Sequence, residues 1–114
     1  MLPPAAHATD ADTVVDQFVA AVNRGDESSV LALFGDNGKV NDWGRIYTGI
    51  EAIKRWSDRE FLGADGRMTV NKRSTADNIV TLNVTWNSSY YSGGSIFIFT
   101  VSDGRIEEMR IEGH

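Results

Sequence analysis

Residues 79–87 read Ile-Val-Thr-Leu-Asn-Val-Thr-Trp-Asn, and this stretch decides the class of fold. Its side chains alternate with a period of two. The apolar set is Val80, Leu82, Val84 and Trp86. The polar set is Thr81, Asn83, Thr85 and Asn87. Successive side chains of a strand point to opposite faces, so the pattern predicts a strand with one core face and one face toward solvent or a partner.

More strands are predicted on both sides of this stretch. Residues 68–73 alternate in the same way after the turn signal Asp65-Gly66. On the other side, Ser92-Gly93-Gly94 predicts a turn into residues 95–101, which are apolar on both faces and indicate a strand buried on both sides. Asp103-Gly104 is typical of a hairpin turn and leads into a last strand over residues 105–111. This half of the chain is therefore predicted to form an antiparallel meander.

The N-terminal half has a helical period instead. Residues 12–24 carry apolar side chains at helical spacing and end at Gly25, so they predict a first helix. Asp26 is suited to cap a short second helix whose apolar residues run to Phe34, with Gly35 as its stop. These two helices are expected to form a hairpin.

A third helix is predicted after a short strand. Asp36-Asn37-Gly38 is typical of a turn, residues 39–43 read as a strand, and residues 44–47 read as a loop. Thr48 followed by Glu51 has the spacing of a capping box, and Trp56 lies on the apolar face of the helix that follows. Helices followed by an antiparallel meander indicate the α+β class.

The length of 114 residues predicts one domain with one core. We expect a flexible N-terminal segment over residues 1–11 and a single domain over residues 12–111. Residues 112–114 resemble the start of an expression tag.

Composition argues against several classes of function. The net charge is −5, and no basic cluster is longer than Lys72-Arg73, so nucleic acid is not an expected partner. The chain has no cysteine, and its two histidines, His7 and His114, lie at the ends, which argues against a core imidazole or a histidine metal site. No secretory signal and no apolar run of roughly 20 residues is present, so no membrane span is expected and the cytoplasm is the default location.

Two groups of motifs resemble the SnoaL-like, nuclear transport factor 2-like superfamily. The opening group comprises residues 18–26, Ala32-Leu33-Phe34, Val40-Asn41-Asp42 and residues 49–53. The closing group is the hairpin of residues 101–109. Together they cover the chain from about Asp12 to Ile111. The resemblance implies a curved antiparallel sheet packed against three N-terminal helices around a cone-shaped pocket, a cystatin-like α+β barrel.

The superfamily includes ketosteroid isomerases, polyketide cyclases, epoxide hydrolases and dehydratases, and also members that only bind or scaffold, so the fold does not settle function. Against the isomerase pattern, the base aspartate falls on Asp42. The two oxyanion donors fall on Phe18 and, with a closing turn one residue shorter, on Phe97. A phenyl ring donates no hydrogen bond, so the resemblance argues against ketosteroid isomerase activity itself. Trp43 stands where the family usually has a proline after the aspartate.

Strand alternation carried onto the family's pocket predicts an apolar cavity with few polar groups. The expected lining is Phe18, Trp56, Val80, Leu82, Val84, Trp86, Ser95, Phe97, Phe99, Met109 and Ile111. Loss of solvation there would raise the pKa of Asp42 and make it a candidate general acid or base. Alternatively, Asp42 caps a turn or faces solvent. Tyr47 is a weaker catalytic candidate, because a packed tyrosine usually keeps its hydroxyl in water.

Two functions remain open. The chain is either a cofactor-free isomerase, cyclase, dehydratase or hydrolase acting on a hydrophobic cyclic substrate through Asp42, or a non-catalytic dimeric binding or accessory domain. No spacing typical of a metal site or a phosphate loop is present, so neither function is expected to need a cofactor. The resemblance implies a homodimer through the outer sheet face, with Tyr91, Ile96 and Ile98 helping to bury the interface. A buried Asp42 in an open cavity would favour the enzyme.

Overall fold

A computed structural model describes residues 6–113 of the chain. Three helices and six strands follow one another along the sequence. They are α1 (Ala6–Asn23), α2 (Glu27–Ala32), β1 (Phe34–Asp42), β2 (Arg45–Thr48), α3 (Ile50–Glu60), β3 (Arg67–Ala76), β4 (Ile79–Asn87), β5 (Ser92–Ser102) and β6 (Arg105–Glu112).

The strands form one curved, unclosed sheet in the order β2-β1-β6-β5-β4-β3. Helix α1 packs on β3, β4 and β5, whereas α3 packs on β1 and β2. The predicted α+β class with a curved sheet and three helices is confirmed. The sheet is mixed rather than wholly antiparallel, because the β1–β2 hairpin joins the meander through a parallel pairing of β1 with β6.

The core lies between α1 and the sheet, and Phe18 is at its centre. The Phe18 ring has its centroid 5.1 Å from that of Phe99, 6.0 Å from that of Phe61 and 6.3 Å from that of Phe34. Each such ring contributes roughly 1.5–3 kcal/mol when it leaves water. The alternation predicted for residues 79–87 is also present, since Val80, Leu82, Val84 and Trp86 are the buried members of β4.

Several predicted boundaries differ from the structure. Helix α1 begins at Ala6, so residues 6–11 of the segment expected to be flexible are helical, while residues 1–5 and His114 lie outside the described part of the chain. Phe34, predicted in the second helix, begins β1. Residues 36–38 do not separate two elements but form an irregularity within β1. Gly38 approaches β6 there so closely that a Cβ on it would lie 2.9 Å from the Ile106 oxygen.

Three further expectations, on the cap of α3, the turn before β5 and the burial of β5, were wrong. Helix α3 has Gly49 at its N-cap with φ of 89° and no side-chain cap, because Thr48 is the last residue of β2. Gly93 and Gly94 pair with β4 inside β5, and the turn lies earlier, over residues 88–91. Strand β5 is also buried on one face only, since Ile96 and Ile98 are half-buried. None of the helices within residues 6–113 is long and apolar enough to cross a membrane.

Candidate active site

A cleft of about 300 Å³ opens at the end of the sheet where β1, β4 and β6 finish. The C-terminal end of α3 and the loop before β5 complete its walls. The lining residues are Asp42, Trp43, Arg45, Trp56, Glu60, Phe61, Trp86, Ser88, Tyr90, Tyr91, Ser95, Phe97 and Ile111. The volume is at the lower end of the range of roughly 300–1,000 Å³ that is typical of small-molecule sites.

Stacked aromatic rings form the inner wall of the cleft. The Phe61 ring stacks on Trp56 with centroids 4.7 Å apart and on Trp86 with centroids 4.8 Å apart. Phe97 follows, with its centroid 6.1 Å from that of Trp86. Gly66 leaves room for this stack, because a Cβ there would lie 2.2 Å from the Trp86 ring. The wall is therefore apolar, flat and closely packed.

Asp42 is the carboxylate closest to this wall. Its side chain is only 13% exposed, and its Oδ2 accepts a hydrogen bond of 3.0 Å from Trp56 Nε1. The indole nitrogen can only donate, so Asp42 is oriented as an acceptor. Within residues 6–113 its Oδ1 has no hydrogen-bond partner, which leaves that oxygen available to a ligand.

Arg45 lies between two carboxylates at the edge of the cleft. Its Nη2 is 3.2 Å from Asp42 Oδ2 and 2.9 Å from Glu60 Oε1. The hydrogen bond that Arg45 donates to Glu60, together with the charges of Glu60 and Asp42, raises the pKa of Arg45, so the guanidinium stays charged. A fixed positive group beside a carboxylate in an apolar cleft is suited to stabilise negative charge that develops on a ligand.

Three exposed aromatic residues surround the mouth, and we call them the aromatic rim: Trp43, Tyr90 and Tyr91. Their exposed fractions are 66%, 77% and 49%. Trp43 and Gly44 form the two-residue turn between β1 and β2, and both have positive φ, at 55° and 93°. A bulky residue rarely adopts this conformation, which costs of order 1–3 kcal/mol.

The structure brings Asp42 together with five of the other predicted site residues. Trp56, Trp86, Ser95 and Phe97 line the cleft with it, as does Ile111. The remaining predicted lining residues lie in the packed core instead: Phe18, Val80, Leu82, Val84, Phe99 and Met109. They lie deeper because Phe61 occupies the space between Phe18 and the cleft.

Tyr47 lies behind the cleft rather than in it. Its ring centroid is 6.2 Å from that of Trp56, and the Arg59 guanidinium lies 5.9 Å from the same ring. Tyr47 therefore supports Trp56, the residue that donates to Asp42, and is not among the residues that line the cleft.

Sequence reasoning missed seven of the residues that line the cleft: Trp43, Arg45, Glu60, Phe61, Ser88, Tyr90 and Tyr91. A signal existed for Arg45, because Trp43-Gly44 forms a two-residue hairpin turn that pairs Asp42 with Arg45. Glycine at the second turn position was the available clue. Glu60 is the last residue of α3 and Phe61 is its C-cap, where the sequence alone gives no direction toward Asp42.

Comparisons with known proteins identify the family and the fold. The family model described as "SnoaL-like domain" matches residues 15–109. No curated protein matches in sequence. Many solved structures share the fold, and we describe three that do so at low identity. The first is a candidate polyketide cyclase from Sinorhizobium meliloti. It has 20% identity and a TM-score of 0.83, and the match covers 92% of this chain and 98% of that one.

The second structure is the epoxide hydrolase/cyclase-like enzyme SalBIII of pyran ring formation in the polyether salinomycin. It has 16% identity and a TM-score of 0.82, over 91% of this chain and 90% of that one. The third is a computationally designed 17-OHP binder with 15% identity and a TM-score of 0.81, over 92% and 91% of the two chains. At these identities the likeness extends to the fold alone.

Proposed function

Because the chain belongs to the SnoaL-like domain family, and its cleft holds a carboxylate against an aromatic wall, we propose that it binds a hydrophobic cyclic molecule and moves a proton at Asp42. The observation that carries the proposal is the orientation of Asp42. Trp56 and Arg45 engage Oδ2, and the other oxygen is left for the ligand.

The proposed step is a proton transfer from carbon. Asp42 Oδ1 takes a proton from a C–H next to a carbonyl, and the electrons of that bond move to the carbonyl oxygen. Arg45 stabilises the enolate that results, a role that neither Phe18 nor Phe97 can perform. Return of the proton to the γ-carbon of a conjugated enolate completes an isomerisation. Transfer of the proton to a β-hydroxyl group, which leaves as water while the C=C bond forms, completes a dehydration. Attack of the enolate carbon on a second carbonyl of the same molecule, whose oxygen takes the proton, completes a cyclisation.

The step needs a proton acceptor and a hydrogen-bond donor, and the chain supplies both. We therefore propose a cofactor-free reaction. The comparison with SalBIII supports a reaction in which a ring is formed, since that enzyme is named for pyran ring formation on the same fold.

Deuterium exchange tests this step without knowledge of the natural substrate. The probe is 2-tetralone, a bicyclic ketone with activated C–H groups, and NMR in D₂O measures its loss of proton signal. We expect the protein to accelerate exchange, and Asp42→Asn to reduce the acceleration at least about 100-fold. Asparagine keeps the shape and can still accept from Trp56. The matched control is Asp103→Asn in the opposite turn, which should exchange like the wild type.

Equal acceleration by the wild type and by Asp42→Asn would contradict proton transfer at Asp42. Binding of 2-tetralone without any acceleration would instead support the second candidate function, a non-catalytic binding or accessory domain. Phe18 and Phe97 favour that candidate, because the family's isomerases place oxyanion donors at those positions. The designed 17-OHP binder also supports it, since the same fold serves there for binding.

We also propose that the chain forms a homodimer through the outer face of β4 and β5. Ile96 and Ile98 are half-buried on that face in the single chain. Tyr91, also expected at this interface, lies at the cleft mouth instead. Light scattering on Ile98→Asp tests the proposal: a shift from dimer to monomer is expected, and a monomeric wild type would contradict it.

A further inference from the structure

We infer that the aromatic rim is a stacking clamp that selects ligands with a planar ring system and no negative charge. The inference rests on the proposed function, because it names the class of molecule that enters the same cleft. It adds Trp43, Tyr90 and Tyr91 as specificity-determining residues to the proton-transfer group Asp42.

Exposed large apolar side chains concentrate at this one mouth. Within residues 6–113 there are five of them, namely Trp43, Ile46, Ile79, Tyr90 and Tyr91. The three aromatic ones all line the cleft, although they come from two separate turns. Rings offer a large contact area at little cost in side-chain entropy, so their convergence indicates a surface for another flat group.

The backbone holds the rim in place before any ligand arrives. The Trp43 amide donates to the Ile111 oxygen over 3.1 Å, and the Gly44 amide donates to Asn41 Oδ1 over 2.8 Å. A Cβ on Gly113 would lie 2.5 Å from the Trp43 ring, so the indole rests directly on that backbone. Contacts therefore hold both the backbone and the ring of Trp43 in place.

The opposite side of the mouth is held by a serine and two glycines. The Ser88 hydroxyl accepts the amides of Tyr90 and Tyr91, each over 3.2 Å. The Tyr91 hydroxyl donates to the Gly94 oxygen over 3.1 Å, and its ring crosses Gly93 so closely that a Cβ there would lie 2.6 Å from the hydroxyl. Preorganised contacts of this kind improve affinity because little order is lost on binding.

Backbone strain at Trp43 supports a role in recognition. Four non-glycine residues among those described have positive φ, and the other three are aspartates, a residue type that tolerates this conformation. Trp43 is the only one of the four with a bulky side chain. A strained residue persists when something other than local stability favours it, and here it lies directly beside Asp42 at the cleft mouth.

The charges of the cleft narrow the ligand class. Asp42 and Glu60 are two carboxylates against the single guanidinium of Arg45, which disfavours an anionic ligand. The same cleft is lined by the stacked rings of the inner wall and by the aromatic rim, so a planar ring without negative charge would contact aromatic surface from both.

A matched pair of probes separates planarity from size. 2-Naphthol and decahydro-2-naphthol share their carbon skeleton and hydroxyl, but only the first is flat. Calorimetry on the full chain should show tighter binding of 2-naphthol. Trp43→Ala should cut the preference for 2-naphthol about 3- to 10-fold, whereas Trp43→Phe should keep most of it. The control is Ile46→Ala, which removes an exposed apolar side chain outside the cleft and should leave the preference unchanged.

Trp43→Asn adds a readout that a purely structural residue would not give. Asn-Gly is the preferred pair for such a turn, so this variant should melt roughly 2–5 °C higher while it loses the same preference for 2-naphthol. An unchanged preference for 2-naphthol in Trp43→Ala and Trp43→Asn would overturn the clamp, as would a wild type that prefers the saturated probe. Dissociation of the dimer by Trp43→Ala would also overturn it, because Trp43 would then belong to the subunit interface.

Failure of the clamp is distinguishable from failure of the proposed function. An unchanged preference in Trp43→Ala, together with loss of 2-tetralone exchange in Asp42→Asn, would remove the clamp alone. Intact exchange in Asp42→Asn with a lost preference in Trp43→Ala would remove only the proton transfer. A wild type that binds neither naphthol nor its saturated analogue, and that does not accelerate 2-tetralone exchange, would overturn both.

Discussion

The chain makes the same tight turn twice, with different residues. The β1–β2 turn is Trp43-Gly44 and the β5–β6 turn is Asp103-Gly104. All four residues have positive φ, the pattern of a type I′ hairpin turn. Asp-Gly is a preferred pair for this turn, whereas tryptophan at the first position is strained.

The difference coincides with position in the fold. Asp103 lies at the end of the sheet away from the cleft, in the turn that joins β5 to β6. Trp43 lies next to Asp42 and lines the cleft. The comparison suggests that local stability selected one turn and ligand contact selected the other.

The largest expected effect is on the free energy of unfolding, when either of two buried phenylalanine rings, one at each end of the core, is removed. Phe61→Ala and Phe34→Ala should each cost about 3–5 kcal/mol of unfolding free energy in urea, because both rings are buried. Only Phe61 lies in the cleft wall, between Trp56 and Trp86. We expect only Phe61→Ala to weaken 2-naphthol binding, and equal loss of binding in Phe34→Ala would break the comparison.

A smaller effect on stability is expected when alanine replaces two glycines that differ in the room around them. A Cβ at Gly66 would clash with Trp86, whereas at Gly35 the nearest atom is 3.8 Å away. Gly66→Ala should therefore lose about 1–3 kcal/mol by overpacking and shift the tryptophan fluorescence, while Gly35→Ala should stay within about 0.5 kcal/mol. Equal denaturation midpoints for the two variants would count against a closely packed cleft wall.

The reciprocal turn substitution should have a still smaller effect. Asp103→Trp places tryptophan at the second site of the same conformation and should cost about 1 kcal/mol, seen as a melting point lower by roughly 4 °C. Asp103→Asn is the control and should melt like the wild type, because asparagine tolerates positive φ. A fully stable Asp103→Trp would mean that Trp43 is unstrained as well.

The smallest effect concerns the helical hairpin and depends on pH. Hydrogen bonds from the Ser29 hydroxyl and amide hold the pKa of Asp26 below its ordinary value near 3.8. The folded state therefore gains from the ionised cap above that value and loses the gain as the pH falls through the lowered pKa.

Asp26→Ala should accordingly lower the urea midpoint at pH 7, and the gap to the wild type should narrow toward pH 2. Binding of 2-naphthol at pH 7 should not change, because Asp26 is not among the residues that line the cleft. A gap that stays constant with pH would show that the ionised cap contributes nothing.

The sequence predicted the fold well where periodicity is long and local chemistry is clear. Residues 79–87 and Asp103-Gly104 led to the meander, and Asp26 does cap α2 through the Ser29 amide. The parallel pairing of β1 with β6 was missed because it joins segments far apart in sequence. Gly93-Gly94 resembled a turn, although these glycines serve the close approach of Tyr91 to β5.

The candidate site was less predictable, for geometric reasons. Alternation identified which side chains face inward but not how deep they lie, so Phe99 and Met109 were expected in the cleft together with Phe97. Arg45 and Glu60 meet Asp42 only because a hairpin and a helix end converge there. The glycine of the Trp43-Gly44 turn was a clue to Arg45, but no spacing in the sequence places Glu60 beside it.

The most direct measurement of the central claim is a map of amide chemical shifts during titration with 2-naphthol. The account predicts the largest changes at residues 42–45 and 88–95 around the cleft, and none at the Asp103-Gly104 turn. Changes centred on residues 102–105, or spread evenly over the sheet, would contradict the assignment of the ligand site to the Trp43 end.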